Sequence, residues 1–421
     1  MTYLRYKGPP FAFVTDGGVH APPTTGAYAY SPPYGTFNPG QTGFPVIGAA
    51  YKDPVFGTTI RRLTNTQFAM CQSDLYPKNG WWNADASYLV YSLADGSMAA
   101  MSATGGGAKQ LTNPGGTTRP DAYCSPILPD VFRYSTGTTI KEQSISTGTI
   151  TTLKDFGVAL GACGGSANLV DLNDRYMIVN LGSPSFQVWD KQTDTLFSGA
   201  VTLAIDSGYV AMAPDASCLI HVNGVNKRRF AIDLSAKTLA TTSNTFHARG
   251  GDHGSVIEAT DGNVYFIRCD NDQITYPNAV MLRINVATGV ETVFYTIPNP
   301  DYWTAQPNHI GNVSRGPLQN WIVCSSDLEG GPTYASDAFD GAAPVASWGA
   351  MQNEVYMLNV LTGARRRLAH TRNRDANLYY RYQPRACPSW SGERVAFDSN
   401  MGVKSNPVGY ADCYSIDIPA T

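Results

Sequence analysis

The amino-acid sequence predicts an all-β fold, a seven-bladed β-propeller whose ring is closed by an N-terminal strand completing the C-terminal blade. Three observations predict it. A strand–turn–strand phrase, seen first in Met98-Ala-Ala-Met-Ser-Ala-Thr-Gly-Gly-Gly-Ala-Lys-Gln-Leu-Thr112, recurs with turns at Gly105, Gly148, Asp194, Lys237, Gly289 and Gly363. The turns are separated by 43, 46, 43, 52 and 74 residues, and a period just above forty with strand chemistry marks propeller blades. A second phrase is an inner strand, a polar turn carrying Asp or Gly, and an alternating apolar strand. It is read in Trp82–Ser92, Met212–His221, Ile257–Ile267 and Pro388–Ser399. Finally, two incomplete phrases complement each other. Val55–Thr64 is similar to a second half (compare Thr362-Gly-Ala-Arg-Arg-Arg-Leu368), and Tyr414-Ser-Ile-Asp-Ile418 is a first half that lacks its turn. Pairing them removes an exposed sheet edge, so Thr58–Thr64 is expected as the outer strand of the last blade.

Taken in order, residues 1–54 hold Pro9-Pro10, Pro22-Pro23 and Pro32-Pro33 without periodicity, and read as an irregular N-terminal arm. Its aromatics, Tyr28, Tyr30, Tyr34 and Phe37, suit contact with another surface, so self-assembly through this arm is expected. Residues 55–421 form the propeller. Its blades span about 80–113, 120–156, 165–201, 207–243, 253–296, 308–369, and 385–418 with 55–64. Blade six carries a long insertion, 327–352, of the kind that shapes a binding face.

Composition limits the function. Apolar residues make up 43% of the 421, enough for a large core, whereas charged residues reach only 15%, below the usual quarter. A net charge of −3 points away from nucleic acid. No run of eighteen apolar residues and no signal-peptide pattern is present, so membrane insertion is not expected. Polar work falls to Tyr (24 residues), Asn, Ser and Thr, a surface suited to glycans and to an extracellular, cell-surface or virion location. The eight cysteines form no Cys-x-x-Cys pair, which argues against a zinc ribbon or redox motif. Cys218, Cys269 and Cys324 lie in apolar strands and read as buried free thiols.

In a propeller, residues just before each innermost strand face the central channel. Three consecutive blades open with unusual polar sets: His247-Ala-Arg249-Gly-Gly-Asp-His253-Gly, Gln306-Pro-Asn308-His309-Ile-Gly-Asn, and Tyr379-Tyr-Arg-Tyr382-Gln383-Pro-Arg385-Ala-Cys387-Pro. Three of the six histidines fall here. The bland reading is that such residues satisfy strand ends and bind water. The functional reading is β-elimination from a uronic acid polymer, where a base removes the proton beside a carboxylate that a cation neutralises. The candidates are His253 and His309 as base, Tyr302 or Tyr382 as helper, and Arg249 and Arg385 on the carboxylate. His247, Gln306, Asn308, Gln383 and Trp303 would bind substrate.

The alternating phrases resemble the seven-bladed propellers of the oligogalacturonate lyase and TolB-like type, over about residues 55–418. In oligogalacturonate lyases the last blade opens with Gln-x-His-x-His-Pro, whose side chains join another histidine in holding a divalent metal. Here the phrase is Gln383-Pro-Arg385-Ala-Cys387-Pro388, and His309 is similar to the histidine of the preceding blade. With one imidazole replaced by a permanent cation and one by a thiol, the resemblance implies no manganese site, and no cofactor is expected. Either Arg385 neutralises the carboxylate in place of the metal, or the propeller is a non-catalytic structural or interaction module.

Other motifs are blander. Arg365-Arg366-Arg367 reads as a solvated face, and Trp82 as core. Asp270-Asn-Asp272 and Asp337-Ala-Phe-Asp340 carry hard oxygens that calcium could use, but surface loops often do. No phosphate loop, nucleophile elbow or His-Glu-x-x-His helix is present. The expectation is therefore a propeller that binds an acidic polysaccharide or other glycan at its channel mouth, with lyase activity, against the alternative of a surface-layer, filament or virion component.

Overall fold

A computed structural model describes residues 46–53, 56–64, 80–92, 97–106, 109–111, 121–164, 168–182, 184–204, 208–251, 253–270, 275–276, 278–297, 307, 309–326, 351, 354–371, 383–399 and 412–418. These residues form seven antiparallel sheets arranged as the blades of a propeller. Blade one contains Tyr88–Ser92, Met98–Ser102 and Lys109–Leu111, with its innermost strand reduced to the bridge between Trp82 and Leu89. Blade two runs outward through Ala122–Cys124, Val131–Thr136, Thr139–Ser144 and Ile150–Asp155. In blade three Tyr176–Asn180 and Ser185–Asp190 are followed by two short outer pieces, Thr195–Leu196 and Val201–Thr202. Blade four, Tyr209–Met212, Cys218–Asn223 and Asn226–Asp233, divides its outer strand in the same way, into Thr238–Leu239 and Asn244–His247. Blade five is Ser255–Glu258, Val264–Asp270, Val280–Asn285 and Glu291–Thr296, and blade six is His309–Asn312, Trp321–Ser325, Glu354–Asn359 and Arg365–His370.

Blade seven joins the two ends of the chain. Cys387–Pro388, Arg394–Ser399 and Asp412–Asp417 are completed by Thr59–Arg62, with Thr59 opposite Asp417 and Arg62 opposite Tyr414. This is the closure expected from the two half phrases. A further strand, Ala50–Lys52, lies outside Thr59–Arg62 and falls within the stretch read as irregular. Residues 1–45 and 54 of the arm lie outside the described residues, as does the blade-six insertion apart from Met351.

Strand chemistry follows from position. The middle strands have a neighbouring blade on both faces and read as unbroken apolar runs: Tyr176–Asn180 is buried throughout. The outer strand Ile150–Asp155, with one face in water, is mostly exposed. The core accordingly lies between blades, as where Val323, Val355 and Met357 of blade six meet Phe397, Tyr414, Ile416 and Ile60 of blade seven. Each such side chain contributes about 1.5–3 kcal/mol by leaving water.

All six turn residues of the repeating phrase have positive φ, from 50° at Asp194 to 77° at Gly105. Each turn also touches the outer part of the preceding blade. Lys109 Nζ donates to Ser146 O (2.9 Å), Lys154 Nζ to Asp194 Oδ2 (2.8 Å), and Ser198 N to Lys237 O (2.9 Å). The turns at Gly289, Gly363 and Gly105 pack on Phe246, Phe294 and Gly48. At the remaining seam, between blades six and seven, Asp53, Phe56 and Thr58 do this work. Asp53 Oδ2 accepts from His370 N (3.0 Å) and lies 3.2 Å from His370 Nδ1; Phe56 packs 4.9 Å from the same ring, and Thr58 Oγ1 donates to Leu368 O.

Two expectations are corrected by this packing. Arg365-Arg366-Arg367 is no solvated face: Arg367 and Glu354 form an ion pair with both side chains 0% exposed, and Arg365 Nη1 donates to Tyr295 OH across the seam (2.7 Å). Cys218 and Cys324 are buried free thiols, but Cys269 is partly exposed. Trp82 is core, with its indole N–H donated to Cys387 O (3.1 Å).

Candidate functional site

The site residues named from the sequence fall into three groups, set by which strand end carries them. The innermost strands of blades five, six and seven lie side by side around the channel. His253, two residues before its strand, is exposed, whereas His309, the first residue of its strand, is buried. Their rings are 5.5 Å apart and tilted by 30°. Below them, Ser255 Oγ donates to Asn312 Oδ1 and Asn312 Nδ2 to Ser314 Oγ, both at 2.9 Å. His309 stands opposite Ser325, whose hydroxyl accepts from Ala386 N (3.1 Å), so blade six is tied to the opening of blade seven.

The second group contains Arg385 and Gln383, both buried at the start of blade seven. Arg385 has a φ of 40°, and its cation acts on Asp398. Burial holds the Asp398 carboxyl well above the usual carboxylate range; Arg385 opposes that and Asp412 adds to it. Asp412 is itself committed to the closing strand, accepting from Arg62 Nε (3.0 Å) and Thr64 Oγ1 (2.7 Å).

The third group, at the seam of blades four and five, holds His247 and Arg249. Arg249 Nη2 donates to Glu291 Oε2 (2.7 Å) and Tyr276 OH (3.1 Å), and its guanidinium carbon lies 5.4 Å from the Tyr276 ring centre. Arg268 Nη1 donates to Arg249 O (2.7 Å) and to His247 Nε2 (3.0 Å). Arg268 lies so close to the chain that a Cβ at Gly250 would meet its guanidinium at 1.8 Å. Lys227 Nζ donates to four carbonyl oxygens, those of Gly224, Val225, Arg249 and Gly250, at 2.8–3.2 Å. Burial and then Arg268 pull the His247 pKa down to about 4, so this imidazole is neutral at neutral pH.

The structure thus brings His253 and His309 together, and draws Arg249 and His247 to Glu291 and Arg268. Tyr302, Trp303, Gln306, Asn308 and Tyr382 lie outside the described residues. Sequence reasoning did not find Glu291, Arg268, Tyr276 or Asp398, each of which reaches its partner from a distant part of the sequence.

The divalent metal implied by the resemblance does not fit the residues present. At the two altered ligand positions stand the Arg385 cation and Cys387, whose buried thiol is pushed up to about 12. Among the described residues no three His, Cys, Asp or Glu side chains gather as a metal would need. Asp270, considered for calcium, is buried 3.5 Å from Arg249 Nε and 3.7 Å from Arg268 Nη1; Asp272, Asp337 and Asp340 lie outside the described residues.

No family model and no curated protein matches the chain. In structure it is similar to an oligogalacturonate lyase in complex with manganese, at 12% identity over 88% of this chain and 96% of that one, with a TM-score of 0.56. It is also similar to the oligogalacturonate lyase of Vibrio parahaemolyticus, at 12% identity over the same shares, with a TM-score of 0.57. At this identity the likeness is one of fold, the seven-bladed propeller.

Proposed function

We propose that the propeller binds an acidic polysaccharide across its channel mouth and cleaves it by β-elimination, with His253 as the base. The observation that carries this reading is the His253–His309 pair, one ring exposed and one buried, 5.5 Å apart on adjacent blades. In the step, the imidazole takes the proton beside the uronate carboxylate. The released electron pair becomes a ring double bond as the glycosidic oxygen leaves, and that oxygen is protonated by an acid, assigned here to Tyr302 or Tyr382. The anion that develops on the carboxylate side needs a cation. Arg385, buried at the opening of blade seven with its cation acting on Asp398, is assigned this role. Trp303, Gln306, Asn308 and Gln383 complete the proposed binding face.

A second reading, a propeller that binds without cleaving, is favoured by the engagement of Arg249 with Glu291, which removes one of the two arginines expected on the carboxylate. Both readings are tested by incubating the full chain with a panel of uronate polymers while following binding and the ultraviolet absorbance of the unsaturated product. Cleavage lost in His253→Ala with binding retained is expected. Binding without product supports the second reading, and no binding to any polymer overturns both.

A further inference from the structure

Thr245 to Arg249, together with Glu291, line an open cavity of about 350 Å3 at the seam of blades four and five, a volume in the range of small-ligand sites. We propose that this cavity binds a neutral sugar ring through two adjacent hydroxyl groups, at a place separate from the channel mouth. The proposal goes beyond the chemistry assigned there and does not depend on it.

Two charged side chains line the cavity, Arg249 and Glu291, and they are paired with each other, Nη2 to Oε2 at 2.7 Å. The pair uses only part of each group. Arg249 Nη2 also serves Tyr276 and its Nε faces Asp270, while Nη1 donates to no acceptor among the described residues. Glu291 Oε1 likewise accepts from no donor among them. A hydroxyl both accepts and donates, so two neighbouring hydroxyls meet the needs of both atoms. A second donor comes from His247. An arginine only donates, so Arg268 Nη1 donates to His247 Nε2 at 3.0 Å, and the hydrogen of the neutral ring sits on Nδ1. That nitrogen is 3.6 Å from Glu291 Oε2, beyond hydrogen-bond distance, and is left to donate to a ligand oxygen. The exposed Thr245 hydroxyl stands on the rim, and Phe246 and Ala248 supply carbon surface for the C–H faces of the ring. The site is also built in advance. His247 and Arg268 are more than nine-tenths buried, and Arg268 and Lys227 hold the Arg249 carbonyl at 2.7 and 2.8 Å, so the ligand meets placed groups instead of ordering loose ones. A uronate carboxylate, by contrast, would face Glu291, and the lining suits a neutral ring.

Saturation-transfer NMR titrations of the full chain with the methyl glycosides of glucose, galactose, mannose and glucuronic acid test the proposal. At least one neutral glycoside is expected to bind, and one of its monodeoxy analogues to bind about ten- to a hundredfold more weakly, the worth of a hydroxyl bonded to charged groups. Methyl glucuronide should bind no tighter than methyl glucoside. Glu291→Ala and Thr245→Tyr, both at exposed positions, should each weaken binding at least about tenfold, the first by removing the acceptor and the second by filling the cavity. Binding by none of the neutral glycosides, tighter binding of glucuronide than of glucoside, indifference to every deoxy change, or binding that survives both substitutions overturns the proposal.

Discussion

Asp190 is held by Arg175 through two hydrogen bonds, Nε to Oδ1 at 3.0 Å and Nη2 to Oδ2 at 2.8 Å, and by Gln192 N and Thr193 Oγ1. Burial alone would raise its pKa, but Arg175 and Thr193 more than offset this and bring it to about 2 from an ordinary 3.8. A carboxyl depressed on folding stabilises above its unfolded pKa and loses that contribution as pH falls through the folded value. The expected outcome is a loss of stability between about pH 4 and pH 2 that is smaller in Asp190→Asn, measured as urea midpoints across that range. At this scale the sequence was partly legible. His253 and His309 stood out because histidine is scarce and both stand at the openings of inner strands. The partners were not legible, since Glu291 lies 42 residues from Arg249 and an ion pair between blades leaves no local pattern. The arginine run was misread for the same reason: in a strand, successive side chains face opposite ways, so three in a row cannot all face water, and Glu354 on the adjacent strand takes Arg367.

The hairpin turn is the element that the sequence declared most clearly, because a positive φ restricts the residue and repetition makes the restriction visible. Gly363 combines a φ of 72° with a site where a Cβ would lie 2.3 Å from Phe294 O. Gly363→Ala is expected to destabilise by about 1–3 kcal/mol. Lys237 holds the same turn position with a φ of 52°, so Lys237→Gly should stabilise by up to about 1 kcal/mol. Opposite shifts in urea midpoint for the two variants would check the pair. The strand Ala50–Lys52 was not legible, since three residues carry no usable period. Nor was the division of the outer strands in blades three and four, which shows only once the preceding strands Ser185–Asp190 and Asn226–Asp233 are in place to pair with both pieces.

At the scale of the ring, six of the seven seams are made alike, with a turn laid on the outer part of the preceding blade, and the seam of blades six and seven is made by Asp53, Phe56 and Thr58. Asp53 is 1% exposed and serves both His370 N and His370 Nδ1. Burial opposes its ionisation, but the His370 contacts dominate and leave its carboxyl below the usual range. Asp53→Ala leaves a buried N–H without its acceptor, so a loss of about 1–3 kcal/mol is expected, read from urea unfolding. A midpoint equal to wild type would show that the seam holds without this clasp. The split blade also bears on the order of folding. Six blades are assembled from neighbours in sequence, whereas Arg62 meets Asp412 across 350 residues. Closing a loop of that size instead of a hairpin of a few residues costs roughly 4 kcal/mol more in chain entropy. The seventh blade is therefore the last native contact to gain and the first to give up, and the molecule that opens at this seam is a nearly complete, uncoiled stack of six blades, not a random chain.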